Sequence, residues 1–198
     1  PSTVATCVCR REEDYSSDPE LRPLTRRTSS STGASTPVIP GDMRMRDNGA
    51  TPLDPRLEAA RRIATEEGRE YAGDFDPRTA WNLAETGAAV IVDVRSAEER
   101  KFVGRVPQSL HVPWATGLEL VRNPRFVEEL EAAVPKDVPV LFLCRSGRRS
   151  ISTAVAATRA GYRHAYNVAE GFEGDLDPQG RRGRHNGWRL RGLPWQQD

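Results

Sequence analysis

The sequence predicts a doubly wound α/β fold built on a parallel sheet, and three observations predict it. Two short continuous apolar runs, Ala89-Val90-Ile91-Val92-Asp93-Val94 and residues 138–143, have the character of strands covered on both faces. Apolar residues at helical spacing lie before, between and after these runs. Three of the helical stretches open on Asp-Pro or Asn-Pro, a capping residue followed by a proline whose fixed φ suits the first turn. Strands alternating with helices in this way give parallel pairing with helices on both faces.

Taken in order, Asp54-Pro55 opens a helix carrying Leu57, Ala60, Ile63 and Ala64 on one face, with Gly68 to close it. Asp76-Pro77 opens a second, ending at Gly87, and residues 89–94 form the first strand. Ser96 and Glu99 have capping-box spacing, which places a short helix directly after that strand. A further strand is predicted over residues 109–112. Asn123 and Pro124 then cap a helix with Phe126, Val127, Leu130 and Val134 on one face. Residues 138–143 return as strand. Ile151, Ala154, Val155 and Thr158 repeat at helical spacing as far as Gly161, and residues 164–168 form a last strand.

The domain so outlined spans residues 53–198, with a basic insertion and tail from about 174. Residues 1–52 are rich in Ser, Thr, Arg and Pro without periodicity, and are expected to form a disordered extension. The acids Glu12, Glu13, Asp14, Asp18 and Glu20 argue against a transit peptide. Met43 and Met45 stand just ahead of the structured part, so one expectation is a native start there.

With 198 residues, 37% hydrophobic, 29% charged and a net charge of +1, the chain has the balance of a soluble globular protein and no global attraction to nucleic acid. No stretch approaches the roughly 20 apolar residues that span a bilayer, so neither membrane nor nucleic acid is expected as a partner, and the location expected is cytoplasmic. Three cysteines make no disulfide framework, and in that compartment they stay reduced.

The chemistry concentrates where the second apolar run ends, at Cys144-Arg145-Ser146-Gly147-Arg148-Arg149-Ser150. In parallel α/β sheets ligands bind beyond the carboxyl ends of the strands, which is where Cys144 stands. Backbone N–H groups and the dipole at the start of the following helix favour an anion there, and Arg145, Arg148 and Arg149 add fixed positive charge. The same field favours a thiolate. Gly147 lets successive N–H groups curl inward as an anion nest. Most free cysteines are simply small buried hydrophobes, but a buried structural cysteine has no need of three arginines, a glycine and a helix start in the next six residues.

This segment resembles the active-site loop of rhodanese-family sulfurtransferases. Other stretches agree in order and spacing: Val92-Asp93-Val94-Arg95; residues 98–107 with His111-Val112-Pro113 after them; and Gly171-Phe172 with the later Trp188 and Gly192-Leu193-Pro194. The resemblance covers about residues 70–195. It implies a five-stranded parallel sheet flanked by helices, with Cys144 as the nucleophile, its sulfur ionised and exposed to small sulfane compounds. Arg105 stands where members of the family often have His after Gly, and Gln108-Ser109 where they often have Gly-Ala; both are expected in surface turns. The interval from Gly171 to Trp188 is longer than in simple single-domain members and holds Arg181, Arg182, Arg184 and His185. It reads either as a cover over the active-site mouth or as a solvated basic loop.

The resemblance further implies that Cys144 takes the outer sulfur of a donor such as thiosulfate and carries it as a persulfide to a nucleophilic acceptor. Cyanide, glutathione, a dithiol and a sulfur-carrier protein are the acceptors considered. The substrate-binding residues expected are Arg145, Ser146, Gly147, Arg148, Arg149 and Ser150, with Arg145 and Arg148 holding the donor's sulfonate through their planar forks. Asp93 and Arg95 are expected in support: Asp93 either pairs with Arg95 or a loop arginine, or caps the following turn. Arg149 also reads as architecture rather than substrate contact.

Two rival readings stand beside this one. Phosphatases and arsenate reductases on a related scaffold place an arginine six residues after the cysteine, whereas Ser150 occupies that place here and the loop is one residue shorter. A non-catalytic or carrier module acting on a protein partner is the other rival, weakened by the presence of Cys144. Cys7 and Cys9 are too few for a zinc site, and no motif implies a metal or an organic cofactor. His111 and His164 read as packed or rim residues, and Trp188 and Trp195 as packing the tail onto the domain.

Overall fold

The structure, a computed structural model, describes residues 52–197. The extension expected over residues 1–52, together with Met43, Met45, Cys7 and Cys9, lies outside the described residues save for Pro52.

Five strands form a parallel sheet in the order β1-β7-β6-β2-β3. They are β1 (Asp74–Phe75), β2 (Val90–Asp93), β3 (Leu110–His111), β6 (Val140–Leu143) and β7 (Ala165–Val168). Between β3 and β6 a small antiparallel hairpin, β4 (Ala115–Thr116) with β5 (Val121–Arg122), stands apart from the sheet. Helices α1 (Pro55–Glu66), α2 (Pro77–Glu85), α3 (Ala97–Val103), α4 (Phe126–Ala133) and α5 (Arg148–Arg159) complete the domain.

The helix starts follow from the capping residues. Asp54 accepts from the Arg56 N–H, and Asp76 from those of Arg78 and Thr79, each with proline in the first turn. Burial raises the Asp76 carboxyl, but the Thr79 and Arg78 bonds outweigh it and hold the group below the usual carboxylate range. Ser96 and Glu99 form the expected reciprocal capping box at α3. The α4 start differs from expectation. Asn123 turns the chain by accepting from the Arg125 N–H at 3.0 Å, and the helix begins only at Phe126.

Period-2 alternation along the strands divides the core between the sheet's two faces. Ile91, Leu141, Leu143, Tyr166 and Val168 pack with α1 and α2, and with Phe172 and Trp188 of the C-terminal segment. Val92, Val94, Val140, Phe142, Cys144 and Ala165 pack with Phe126, Leu130, Ala154 and Ala157 on the other face. Each large apolar side chain buried there contributes about 1.5–3 kcal/mol. Two tyrosines satisfy their hydroxyls while buried: Tyr166 donates to the Leu57 carbonyl and Tyr162 to that of Val134. The buried face of α5 is rotated from the one the spacing suggested. Ser150, Thr153, Ala154 and Ala157 point inward, and Ile151 is exposed. Among the described residues no helix is long and apolar enough to cross a membrane.

Candidate active site

Because β6 alternates, Cys144 is delivered to the α4/α5 face just where the strand ends. Gly147 then takes φ +83° as the N-cap of α5, a conformation glycine adopts without the steric cost other residues meet. Among the described residues no side chain caps α5, which leaves its first-turn N–H groups without a side-chain acceptor there. Opposite the loop, Gly171 at φ +65° brings its backbone against it. A Cβ at that position would lie 2.5 Å from the Ser146 nitrogen and 2.6 Å from the Cys144 carbonyl oxygen. The loop is held there by the Phe172 N–H on the Cys144 carbonyl (2.8 Å) and the Glu173 N–H on the Arg145 carbonyl (2.9 Å).

The thiol lies at the floor of this loop. Cys144 is only 1% exposed, which corrects the expectation of an open sulfur, and its Sγ accepts from the Ser150 hydroxyl at 3.1 Å. The Ser150 backbone carbonyl in turn accepts from Thr153 Oγ1 at 2.8 Å. Ser146 is half-buried and Gly147 buried.

The three loop arginines take different places. Arg149 donates from both terminal nitrogens to Glu99, at 2.8 and 2.6 Å, forming a fork-to-carboxylate pair. That pair ties the loop to α3, with the Arg149 fork taken up by the carboxylate. Burial raises the Glu99 carboxyl, but the Arg149 bond and the Ser96 N–H overcome this and hold it below its ordinary range. Burial likewise lowers Arg149, and the Glu99 bond and charge more than reverse it. Arg145 is half-buried and Arg148 exposed, and neither has an acidic partner among the described residues.

At the end of β2 the charges are closed on one another. Arg95 donates through Nε and Nη2 to the two Asp93 oxygens at 3.0 and 2.7 Å, with both side chains 0% exposed. Asp93 Oδ1 also accepts from the Arg95 backbone N–H at 3.1 Å, so the pairing and turn-capping readings of Asp93 are the same arrangement. The Arg95 guanidinium lies 4.0 Å over the Phe172 ring and donates to the Gly104 carbonyl, which ties three segments together. Arg100 approaches Asp93 at 3.6 Å.

Several of these roles had no clear sequence signal. Glu99 reads in sequence only as the far half of a capping box, and its grip on Arg149 joins residues 50 apart in the chain. Glu170 takes φ +67° and accepts from the Gly187 N–H and from Arg191, fastening the segment behind the loop to the tail. Arg105 is no free surface turn, because its backbone pairs with Gln196 in an antiparallel bridge. Trp188 is fully buried, edge-on to Trp81, and Trp195 packs on Phe172 while remaining 38% exposed. His111 sits at the sheet rim with Nε2 2.8 Å from the Arg95 carbonyl oxygen.

Comparison with known proteins agrees with this arrangement. Residues 76–176 match the family model described as a rhodanese-like domain. The crystal structure of Rv0390 from M. tuberculosis is similar at 47% identity and a TM-score of 0.59, covering 65% of this chain and 99% of that one. The uncharacterized protein RP600 of Rickettsia prowazekii is 36% identical over 110 residues, 54% of this chain and 83% of that protein. A protein named thiosulfate sulfurtransferase GlpE, from Actinobacillus succinogenes, is 28% identical over 121 residues, 61% of this chain and 87% of that protein. With half its length matched by the family model and the loop, the paired strands and the five-stranded sheet in place, the chain belongs to the rhodanese-like domain family.

Proposed function

We propose that the protein is a cytoplasmic sulfurtransferase that moves a sulfane sulfur from thiosulfate, or a similar small anion, to a thiol or cyanide through a persulfide on Cys144. The observation that carries this reading is the loop's uncompensated positive charge. Cys144 lies beside an uncapped helix start, with Arg145 and Arg148 lacking acidic partners among the described residues. Positive charge left open beside the sulfur and next to a helix start suits an incoming anion.

In the first step the Cys144 thiolate attacks the outer sulfur of thiosulfate. A new S–S bond forms, the donor's own S–S bond breaks, and sulfite leaves with the electron pair. In the second step a thiolate or cyanide attacks the terminal sulfur, and Cys144 departs as thiolate. Negative charge occupies the loop in both steps, so the same preorganised donors serve each. The Ser150 hydroxyl donates to the sulfur. Arg145 and Arg148 hold the sulfonate, and Arg149, fixed by Glu99, keeps the loop's curvature. Since the thiol is nearly enclosed, the donor enters as side chains at the mouth move, and exposed Arg148 has room to do so.

The test is mass spectrometry after thiosulfate treatment, alongside thiocyanate production with cyanide. One added sulfur on the Cys144 peptide, absent from Cys144→Ser, is expected, with thiocyanate formation abolished in that variant. Unmodified Cys144 together with hydrolysis of an aryl phosphate would replace this reading with the phosphatase one.

A further inference from the structure

The basic insertion is not a free loop, because its base is tied together. Gly174 admits its return: a Cβ there would lie 2.1 Å from the Asn186 carbonyl oxygen, so only glycine allows the two segments to meet. The Asn186 side chain accepts from the Asp175 N–H and donates to the Asp175 carboxylate, at 2.7 and 3.0 Å. Past that base the chain runs back along residues 171–172. There the Trp188 N–H donates to the Gly171 carbonyl at 2.9 Å and the Arg189 N–H to that of Phe172 at 3.2 Å. The return brings Gly187 and Arg191 to Glu170.

Glu170 has a φ of +67°, in the left-handed region that glycine enters freely and a residue with a Cβ enters at a steric cost. Such a conformation persists only where the surroundings over-determine it. Here the carboxylate accepts from the Gly187 N–H at 2.9 Å and from the Arg191 fork, Nε at 3.1 Å and Nη2 at 2.5 Å. Burial raises the Glu170 carboxyl, but the Arg191 bonds and the Gly187 N–H more than offset this and hold it below its ordinary range.

The same backbone lies against the Cys144 loop. A Cβ on Gly147 would lie 3.2 Å from the Glu170 nitrogen, and one on Gly171 would lie 2.5 Å from the Ser146 nitrogen, so residues 170–171 and 146–147 are packed without slack. Gly147 is the N-cap of α5, and its place sets where the first N–H groups of that helix point. A Glu170 backbone that left the left-handed region would carry Gly147 with it.

We propose that Glu170 is a positioning residue for the Cys144 loop: its grip on Arg191 and Gly187 holds the left-handed backbone against which Gly147 and the start of α5 are set. The inference rests on the sulfurtransferase reading, and it makes residues 187–191 of the tail a working part of the site that acts through the loop's backbone.

Glu170→Gly separates the two needs of the position, since glycine keeps the left-handed φ without cost and gives up the carboxylate. Arg191→Ala removes the fork from an exposed side chain, and Glu170→Gln keeps an acceptor for the Gly187 N–H. Thiocyanate formation from thiosulfate and cyanide is measured for each, together with urea unfolding and the NMR amide cross-peak of Gly147. In Glu170→Gly and Arg191→Ala, kcat should fall about tenfold, as misplaced geometry costs rate, while the KM for thiosulfate stays within about twofold because Arg145 and Arg148 remain. The Gly147 peak should shift in both, and Glu170→Gln should recover most of the turnover and the peak position. An unchanged kcat in Glu170→Gly would overturn the proposal, leaving the left-handed backbone as all that the position requires. So would a kcat that falls in step with the urea midpoint in every variant, Glu170→Gln included, which marks general loosening. A wild type that forms no thiocyanate rejects the sulfurtransferase reading instead. The Gly147 peak then decides the positioning role alone: a shift that Glu170→Gln restores keeps it, and a peak that stays in place removes it.

Discussion

Strands β2 and β6 lie side by side in parallel register, Asp93 opposite Leu143, and both lead into turns that carry arginine, yet the turns are built on opposite electrostatic plans. After β2, carboxylate and guanidinium are fully buried and closed on each other, and the pair braces Gly104 and Phe172. After β6, one arginine is committed to Glu99 and two have no acidic partner among the described residues. Burying a charge is costly unless it is paired, so the β2 turn is explicable as scaffold alone. Unpaired cations near the surface cost the fold little and are available to an anion. Pairing state therefore distinguishes the two turns more sharply than residue type does, since both use arginine.

The contrast can be broken most strongly at β2. Asp93→Ala leaves the Arg95 guanidinium buried without its carboxylate, and removing one partner of a buried pair costs about 3–5 kcal/mol. A urea midpoint lowered to that extent is expected. A loss below about 1 kcal/mol would mean the turn relaxes enough to hydrate Arg95, and the two turns would then differ less than their geometry implies.

Glu99→Gln tests the intermediate case, a half-buried pair at the border between the two plans. It should cost about 1–3 kcal/mol, the scale of hydrogen bonds to charged groups, and should lower turnover by letting Arg149 and the loop drift. Its pH dependence has a definite sign. Glu99 is held below its ordinary range when folded, so its contribution is complete above the unfolded value of about 4.3. That contribution fades as the pH falls through the lower folded value. Stability curves of wild type and Glu99→Gln should converge on acidification below pH ~4.3, and parallel curves there would assign the pair no linkage.

The β2 and β6 ends were legible in sequence for one reason: apolar runs of four to six residues bounded by polar turns report strands directly. The capping box at Ser96, the Asp-Pro helix starts and the position of Cys144 are local signals of the same kind. Strand β1 and the β4–β5 hairpin, at two residues a strand, are too short to show a period, and the equally short β3 is placed only within the wider stretch predicted over residues 109–112. The α5 face was misjudged because its inward residues are Ser150, Thr153 and small alanines, whose burial follows from close packing against the sheet rather than from hydrophobicity. The candidate site divides in the same way. Cys144 and its neighbours are contiguous and could be read, whereas Glu99 with Arg149, Arg95 over Phe172, and the seating of the insertion at Gly174 depend on tertiary approach between distant segments.

The smallest effect on stability is expected where the largest effect on the donor is. Arg145→Ala with Arg148→Ala removes two loop cations that have no acidic partner among the described residues, and surface substitutions of this kind change stability by no more than about 0.5 kcal/mol. Thiosulfate, by contrast, loses its charge-assisted contacts, so its KM should rise about tenfold or more while the KM for cyanide changes little. Urea unfolding and steady-state kinetics on the same double variant read both quantities. A variant that unfolds as readily as Asp93→Ala would show that the loop arginines brace the fold after all, and would erase the distinction between the two strand ends. A stable variant with unchanged donor kinetics would leave the β6 turn open but assign its anion to the helix N–H groups alone.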